Sequence, residues 1–246
     1  MTSDLTNPNK SGFRAKGSFQ VATTGGSSGF LAKSQKTQIK NQEKIAIAFL
    51  FDATSSREDS WASAQKIQTE MIAEYAKSGA NVEVGIIVHR GKVQTVGWFQ
   101  DAQEAARTMA DVTCKFGCTK IEKGLEEALK SPSNLKPKAV VMVGDCCEEE
   151  HGDIGRAALY LKRQGIPVHA FHEGSNTNGE HVYKMVSSLT GGVFAKFGSN
   201  MSLRDLIKPL FVHTVHGKEA FQDMVNRGDQ GAKILADNGL LRLGPK

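Results

Sequence analysis

The run Ile45-Ala46-Ile47-Ala48-Phe49-Leu50-Phe51 is apolar throughout and is followed at once by Asp52-Ala53-Thr54-Ser55-Ser56. A run of this length and character reads as a buried strand, and its C-terminal end is where open α/β sheets place their ligand sites. The Asp-x-Thr-x-Ser spacing points one carboxylate and two hydroxyls at a common place, and hard divalent cations such as Mg²⁺ prefer oxygen ligands. Two later segments have the same character. Gly117-Cys118-Thr119 precedes the helical pattern Lys120 to Lys130, and Gly144-Asp145 closes a second apolar run, Ala139-Val140-Val141-Met142-Val143.

From Ile45 onward, short β-like runs alternate with longer helical patterns, which implies an α/β domain with a largely parallel sheet. Strands are expected near 45–51, 82–89, 92–99, 138–144, 167–172 and 192–197. Between them, apolar positions recur at three- and four-residue spacing. Ala64, Ile67, Met71, Ile72 and Tyr75 mark a first helix with Ser60 as its cap, Ala102 to Val112 a second, and Ile121, Leu125, Ala128 and Leu129 a third. Asp153 to Gln164 stops at Gly165, as a helix C-cap should, and His181 to Leu189 ends at Gly191-Gly192. Leu203, Ile207, Leu210 and Phe211 define a helix near the end of the domain. Only Arg90-Gly91 separates the second and third strands, too little for a helical crossover, so these two must form a hairpin. The expected fold is a doubly wound, mostly parallel six-stranded sheet with one antiparallel edge strand.

A chain of 246 residues with 39% hydrophobic residues can bury one full core. Its formal charge of +5 is concentrated before residue 45, where Lys10, Arg14, Lys16, Lys33, Lys36, Lys40 and Lys44 face only Asp4 and Glu43. Residues 1–42, polar and without an apolar period, read as a flexible basic arm; 43–216 form the α/β domain. Residues 217–246 carry a weaker helical pattern through Phe221, Met224, Val225, Ile234 and Leu235 and read as a C-terminal helical extension. The arm's charge suits nucleic acid, anionic lipid or an acidic partner, but a solvated tail is the commoner outcome, and no aromatic interleaving signals base stacking. The segment Met1 to Pro8 lacks the charged and apolar regions of a signal peptide, and no apolar run approaches a membrane span, so a cytoplasmic location is expected. Cys114, Cys118, Cys146 and Cys147 then count as reduced thiols. A zinc site built from all four is disfavoured, because a lone Cys-x-x-x-Cys is weak and adjacent cysteines are poor tetrahedral chelators.

Taken together, Asp52-x-Thr54-x-Ser56, Thr119 before a helix and Asp145 after a strand resemble the metal-ion-dependent adhesion site of a von Willebrand factor A (VWA) domain, over about residues 44–215. The likeness rests on the order of the three segments, their places at strand ends, and the hairpin between the first helix and the second site loop. It implies that Thr54, Ser56 and Thr119 offer hydroxyl oxygens to Mg²⁺, or to Mn²⁺ or Ca²⁺, and that Asp52 and Asp145 bind directly or through water. It further implies that a coordination position stays open for an acidic residue of a protein partner. Arg57, Lys120 and Glu148, in or beside the site loops, are the candidate partner-binding residues. Gly191-Gly192-Val193-Phe194 resembles the family's turn before the last strand. Two features depart from the pattern: Thr54 replaces the more usual Ser, and Cys146-Cys147-Glu148-Glu149-Glu150 follows Asp145 where many members place a Gly.

The expected function is a non-enzymatic, metal-dependent adaptor in a cytoplasmic multiprotein assembly, similar to bacterial intracellular members of the family that work with ATPases or chaperone machinery. A phosphatase or phosphotransferase using Asp52 as nucleophile is disfavoured, since Thr54 occupies the place of the second acid that haloacid-dehalogenase-type enzymes need. A third reading is a structural subunit with a vestigial metal site whose basic arm binds nucleic acid or an acidic surface. His169 with His172, and His213 with His216, lack a clear third ligand and are expected to be partly solvated and hydrogen-bonded. The run Glu148 to His151 reads as a solvated helix entry, since acids favour helix N-termini.

Overall fold

β1 (Ile45–Asp52) is buried at all eight positions, as a strand is at the centre of a sheet covered on both faces. The computed structural model describes residues 44–62, 65, 66, 69, 72, 81–198 and 200–242. The N-terminal arm, and Ala64, Ile67, Met71 and Tyr75 of the first helical pattern, lie outside the described residues. β1 joins β2 (Val82–His89), β3 (Val93–Phe99), β4 (Pro137–Gly144), β5 (Val168–Glu173) and β6 (Phe194–Phe197) in a six-stranded sheet of order β3-β2-β1-β4-β5-β6. Every pairing is parallel except β2 with β3, so β3 is the antiparallel edge strand that the short connection requires. That connection is one residue longer than expected: Arg90, Gly91 and Lys92 turn the chain, with the Arg90 N–H donating to the Lys92 carbonyl at 3.0 Å.

The helices are α1 (described at 58–62, 65, 66, 69 and 72), α2 (Ala102–Ala110), α3 (Ile121–Glu127), α4 (His151–Arg163), α5 (Thr177–Thr190), α6 (Leu203–His216), α7 (Lys218–Asn226) and α8 (Gln230–Asp237). Strand periodicity sorts them into two layers. Ile45, Ile47, Phe49 and Phe51 share one core cluster with Met109 of α2, Leu206 and Leu210 of α6, Phe221 of α7 and Leu235 of α8. Ala48 and Leu50 belong to the opposite cluster with Leu125 of α3, Ile154 of α4 and Val182 of α5. Phe221, Leu235 and Leu240 are fully buried, so residues 217–242 complete the first of these cores.

Some helix ends differ from the sequence expectation. Ser60 does not cap the first helix but lies inside it, its hydroxyl donating to the Arg57 carbonyl at 3.3 Å, because a 3₁₀ turn at Ser55–Arg57 runs directly into α1. α5 begins four residues earlier than His181, where the Asn176 side chain accepts the Gly179 N–H at 2.7 Å. Its end is as expected, with Gly191 left-handed at φ 77°. Gly192 next to it packs so closely that a Cβ there would collide with the Val168 carbonyl of β5. Among the described residues no helix is long and apolar enough to cross a membrane.

The chain leaves β1 for β2 on one side, while β4 lies on the other. The loops that follow β1 and β4 therefore diverge and leave a crevice at their C-terminal ends.

Candidate functional site

Asp52, the last residue of β1, is fully buried, and its Oδ1 accepts the Thr54 N–H at 2.9 Å. This Asx turn bends the chain away from the sheet and sets the two hydroxyls beyond it on one side. The Thr54 and Ser56 hydroxyls are 3.0 Å apart, and Ser56 Oγ donates to Asp145 Oδ1 at 3.3 Å. Asp145 is the first residue past β4 and is half-buried. Bonds of 2.0–2.1 Å at right angles, as Mg²⁺ requires, place neighbouring ligand oxygens about 2.9 Å apart. The hydroxyl and carboxylate spacings thus approach the edges of an octahedron, and the donor set fits a hard divalent ion.

The electrostatics point the same way. Burial raises the Asp52 pKa above the ordinary carboxylate value, against hydrogen bonds from Thr54 and the charge of Arg57. Burial also raises Asp145, and the charge of Asp52 adds to the shift. Cys146, which follows, completes a group in which the two carboxylates and the sulfur lie within 4.8 Å of one another. Burial and the neighbouring Asp52 push its thiol up to about 12.

A second loop is stitched to the first and to the turn between β2 and β3. The Lys115 N–H donates to the Ala53 carbonyl at 3.0 Å, and the Gly91 N–H to the Cys118 carbonyl at 2.9 Å. Thr119, buried in this loop, is clamped to the acidic run: its N–H donates to the Glu148 carboxylate at 3.0 Å while the Glu148 N–H donates to Thr119 Oγ1 at 3.0 Å. Glu149 accepts from the Ile121 N–H and, at 3.4 Å, from the Glu122 N–H, the first free donors of α3. The acids do sit at helix N-termini, but not all at the same one: Glu149 serves α3 and Glu148 holds Thr119 just before it, while exposed Glu150 is the N-cap of α4 and His151 its first residue, the solvated entry expected. Of the five expected ligands, Asp52, Thr54, Ser56 and Asp145 form one hydrogen-bonded chain, whereas Thr119 is bonded to Glu148.

The three expected partner-binding residues are placed differently. Arg57 is buried: Nη1 donates to the Asp52 carbonyl at 2.8 Å, and Nε and Nη2 donate to Glu173 Oε2 at 3.1 and 2.7 Å. Its guanidinium also lies 5.5 Å from the Trp61 ring centre. Lys120 is half-buried at the N-cap of α3, its N–H donating to His89 Nδ1 at 3.4 Å. Glu148 is exposed beside Thr119.

Several supporting residues carry no local signal in the sequence. His89 pairs in register with Asp52, and its Nδ1 lies 3.9 Å from Asp52 Oδ1. Burial lowers its pKa to about 4, so the ring is neutral and the contact is not an ion pair. His172 Nε2 pairs with the Asp145 carbonyl at 2.9 Å. Both His172 and His169 are buried rather than partly solvated, because β5 lies inside the sheet. Behind Asp52, a Cβ on Gly144 would collide with the Tyr183 hydroxyl and stand 2.6 Å from Asp52 Cβ, so only glycine lets the carboxylate sit this deep.

No family model and no curated protein matches the sequence. Solved structures match it in fold. BatB from Bacteroides thetaiotaomicron, a conserved hypothetical protein, is 15% identical over 78% of this chain and 99% of its own, with a TM-score of 0.53. The SpRpn10 VWA domain is 15% identical over 66% of this chain and 93% of its own, with a TM-score of 0.54. Proximal thread matrix protein 1 of the mussel byssus, with a zinc-occupied MIDAS motif, is 16% identical over 71% of this chain and 46% of its own, with a TM-score of 0.54. The sheet order, the antiparallel edge and these likenesses together establish the VWA-domain fold.

Proposed function

We propose that this chain is a metal-dependent protein-binding module. The observation that carries the reading is the convergence of Asp52, Thr54, Ser56 and Asp145 where the loops after β1 and β4 diverge, with 3.0 and 3.3 Å between successive oxygens. These four residues would hold the ion, and a bound divalent cation would supply an electrophile for an acidic side chain of a partner. Mg²⁺ fits the oxygen donors, as do Mn²⁺ and Ca²⁺. The zinc-occupied motif of the byssus protein, on the same fold, supports a metal at this place.

Recognition rather than turnover is favoured by the burial of Asp52, whose Oδ1 is engaged by the Thr54 N–H and whose carboxylate is not presented as a nucleophile. Phe116, 94% exposed in the loop that carries Thr119, offers an aromatic contact beside the site. The role we assign is that of an adaptor in a cytoplasmic multiprotein assembly, its partner an acidic residue of an ATPase or chaperone component.

The test is capture of partners from native cytosol with and without EDTA, comparing wild type with Asp52→Ala and Asp145→Ala. Capture is expected to need the divalent ion and to vanish in both variants while their near-UV circular dichroism is retained. Capture that persists unchanged under chelation and in both variants retires the proposal.

A further inference from the structure

Cys146 is the feature of the site that the oxygen-ligand pattern does not absorb. Its Sγ lies 3.9 Å from Asp52 Oδ2 and 3.7 Å from Ser56 Oγ. A tetrahedral zinc with Zn–S about 2.3 Å and Zn–O about 2.0–2.2 Å sets sulfur and oxygen about 3.6 Å apart. The sulfur therefore stands near the spacing of a first ligand, with two carboxylates able to supply further positions.

The backbone that presents the thiol is held on both sides. His172 Nε2 pairs with the Asp145 carbonyl at 2.9 Å, and Asn178 Nδ2 donates to the Cys147 carbonyl at 2.7 Å. α5 packs so closely that a Cβ on Gly179 would stand 2.9 Å from Cys146 Cα. An independent sign of a ligand comes from Tyr183 of α5. It is fully buried, its hydroxyl has no hydrogen-bond partner among the described residues, and a Cβ on Gly144 would meet both that hydroxyl and the Asp52 side chain. An unmatched polar group at the floor of the cluster is costly unless something bound there engages it.

We propose that Cys146 joins Asp52 and Asp145 as a direct ligand of a thiophilic divalent ion, so that the site takes Zn²⁺ in preference to Mg²⁺. This rests on the reading of the cluster as a cation site, and it departs from the oxygen-only ligand set in the metal it selects. Thiolate sulfur is soft and binds zinc far better than magnesium, whose affinity for sulfur is slight. On binding, the S–H bond breaks, its proton leaves to solvent, and the sulfur electron pair forms the bond to zinc.

The test uses the full-length chain stripped of metal. Zn²⁺ and Mg²⁺ are titrated by calorimetry into wild type, Cys146→Ser, Cys146→Ala and Asp145→Asn, with folding checked by near-UV circular dichroism. Co²⁺ serves as a spectroscopic substitute whose sulfur-to-cobalt charge-transfer band reports thiolate ligation. Both Cys146 variants are expected to lose Zn²⁺ affinity by at least the roughly 10- to 100-fold that loss of an outer-shell partner costs, to keep their Mg²⁺ affinity, and to lack the band that wild type shows. Unchanged Zn²⁺ affinity in both variants, or a band that persists without Cys146, overturns the proposal, even if Asp145→Asn still abolishes binding and the cation site stands. Wild type that binds neither ion, or an Asp145→Asn variant that binds both as wild type does, overturns the cation reading itself and this proposal with it.

Discussion

Replacing Asp145 by Asn is expected to stabilise the metal-free protein. The Asp52 and Asp145 carboxylates lie within 4.8 Å of each other, and the nearby Arg57 directs its donors to the Asp52 carbonyl and to Glu173 rather than to either carboxylate. Two unit charges at that separation repel by about 3 kcal/mol at an effective dielectric of about 20. Solvent screening at the half-exposed Asp145 lowers this to about 1–2 kcal/mol. Asparagine keeps an oxygen to accept from Ser56 and removes the charge. In EDTA at neutral pH the Asp145→Asn variant should melt about 3–6 °C above wild type. Burial raises both carboxyls, and the charge of Asp52 raises Asp145 further. The stability they contribute is thus complete below their unfolded-state values and lost as pH rises through the raised folded-state values. The gap between the two proteins, in which the other carboxylates cancel, should be widest at neutrality and close as pH falls through the window just above the ordinary carboxylate range. Saturating divalent ion should invert the order: wild type gains about 2.7 kcal/mol at a hundred times Kd, and the variant gains little. Thermal melts followed by circular dichroism decide it. A variant that melts below wild type in EDTA, or a gap that widens on acidification, refutes the reasoning.

Removing the buried guanidinium by Arg57→Leu leaves the Asp52 carbonyl without that donor and part-exposed Glu173 with only the longer bond from Ser60 at 3.4 Å, and should lower stability by about 2–3 kcal/mol in urea unfolding. Gly144→Ala drives a methyl group into the Tyr183 hydroxyl and Asp52 Cβ, and should lose about 1–3 kcal/mol together with metal affinity. Gly155→Ala on α4, where a Cβ meets nothing within 4 Å, should gain up to about 1 kcal/mol; equal effects of the two substitutions in thermal melts would show that the close approach at Gly144 is not real. Glu149→Gln removes the charge that receives the first N–H groups of α3 and should lower stability by about 0.3–1 kcal/mol, measured by urea unfolding.

The parts of this molecule that were legible in the sequence are those whose signal is local. β1 announces itself because a central strand is apolar at every position, and Asp52, Thr54, Ser56 and Asp145 follow from lying at the ends of two such runs. The hairpin was legible because a connection of two or three residues permits nothing else. What escaped reading depends on partners far along the chain: Arg57 finds Glu173 116 residues away, and Thr119 finds Glu148 29 residues away. Arg57 beside a site loop looks like a solvent-facing charge until β5 brings Glu173 under it. The acids after Asp145 obeyed the preference for helix N-termini, but sequence gives no means of choosing between the helix that follows them and one that the sheet brings alongside. His89, Glu173 and His172, absent from the reading of the cation site, all lie at or next to the C-terminal ends of β2 and β5, the strands flanking the β1–β4 pair. Once the sheet order is fixed, polar residues at those strand ends must face either the crevice or the chain that lines it. Their positions become legible at the level of topology, and the order β2-β1-β4-β5 is therefore what turns four scattered strand ends into one site.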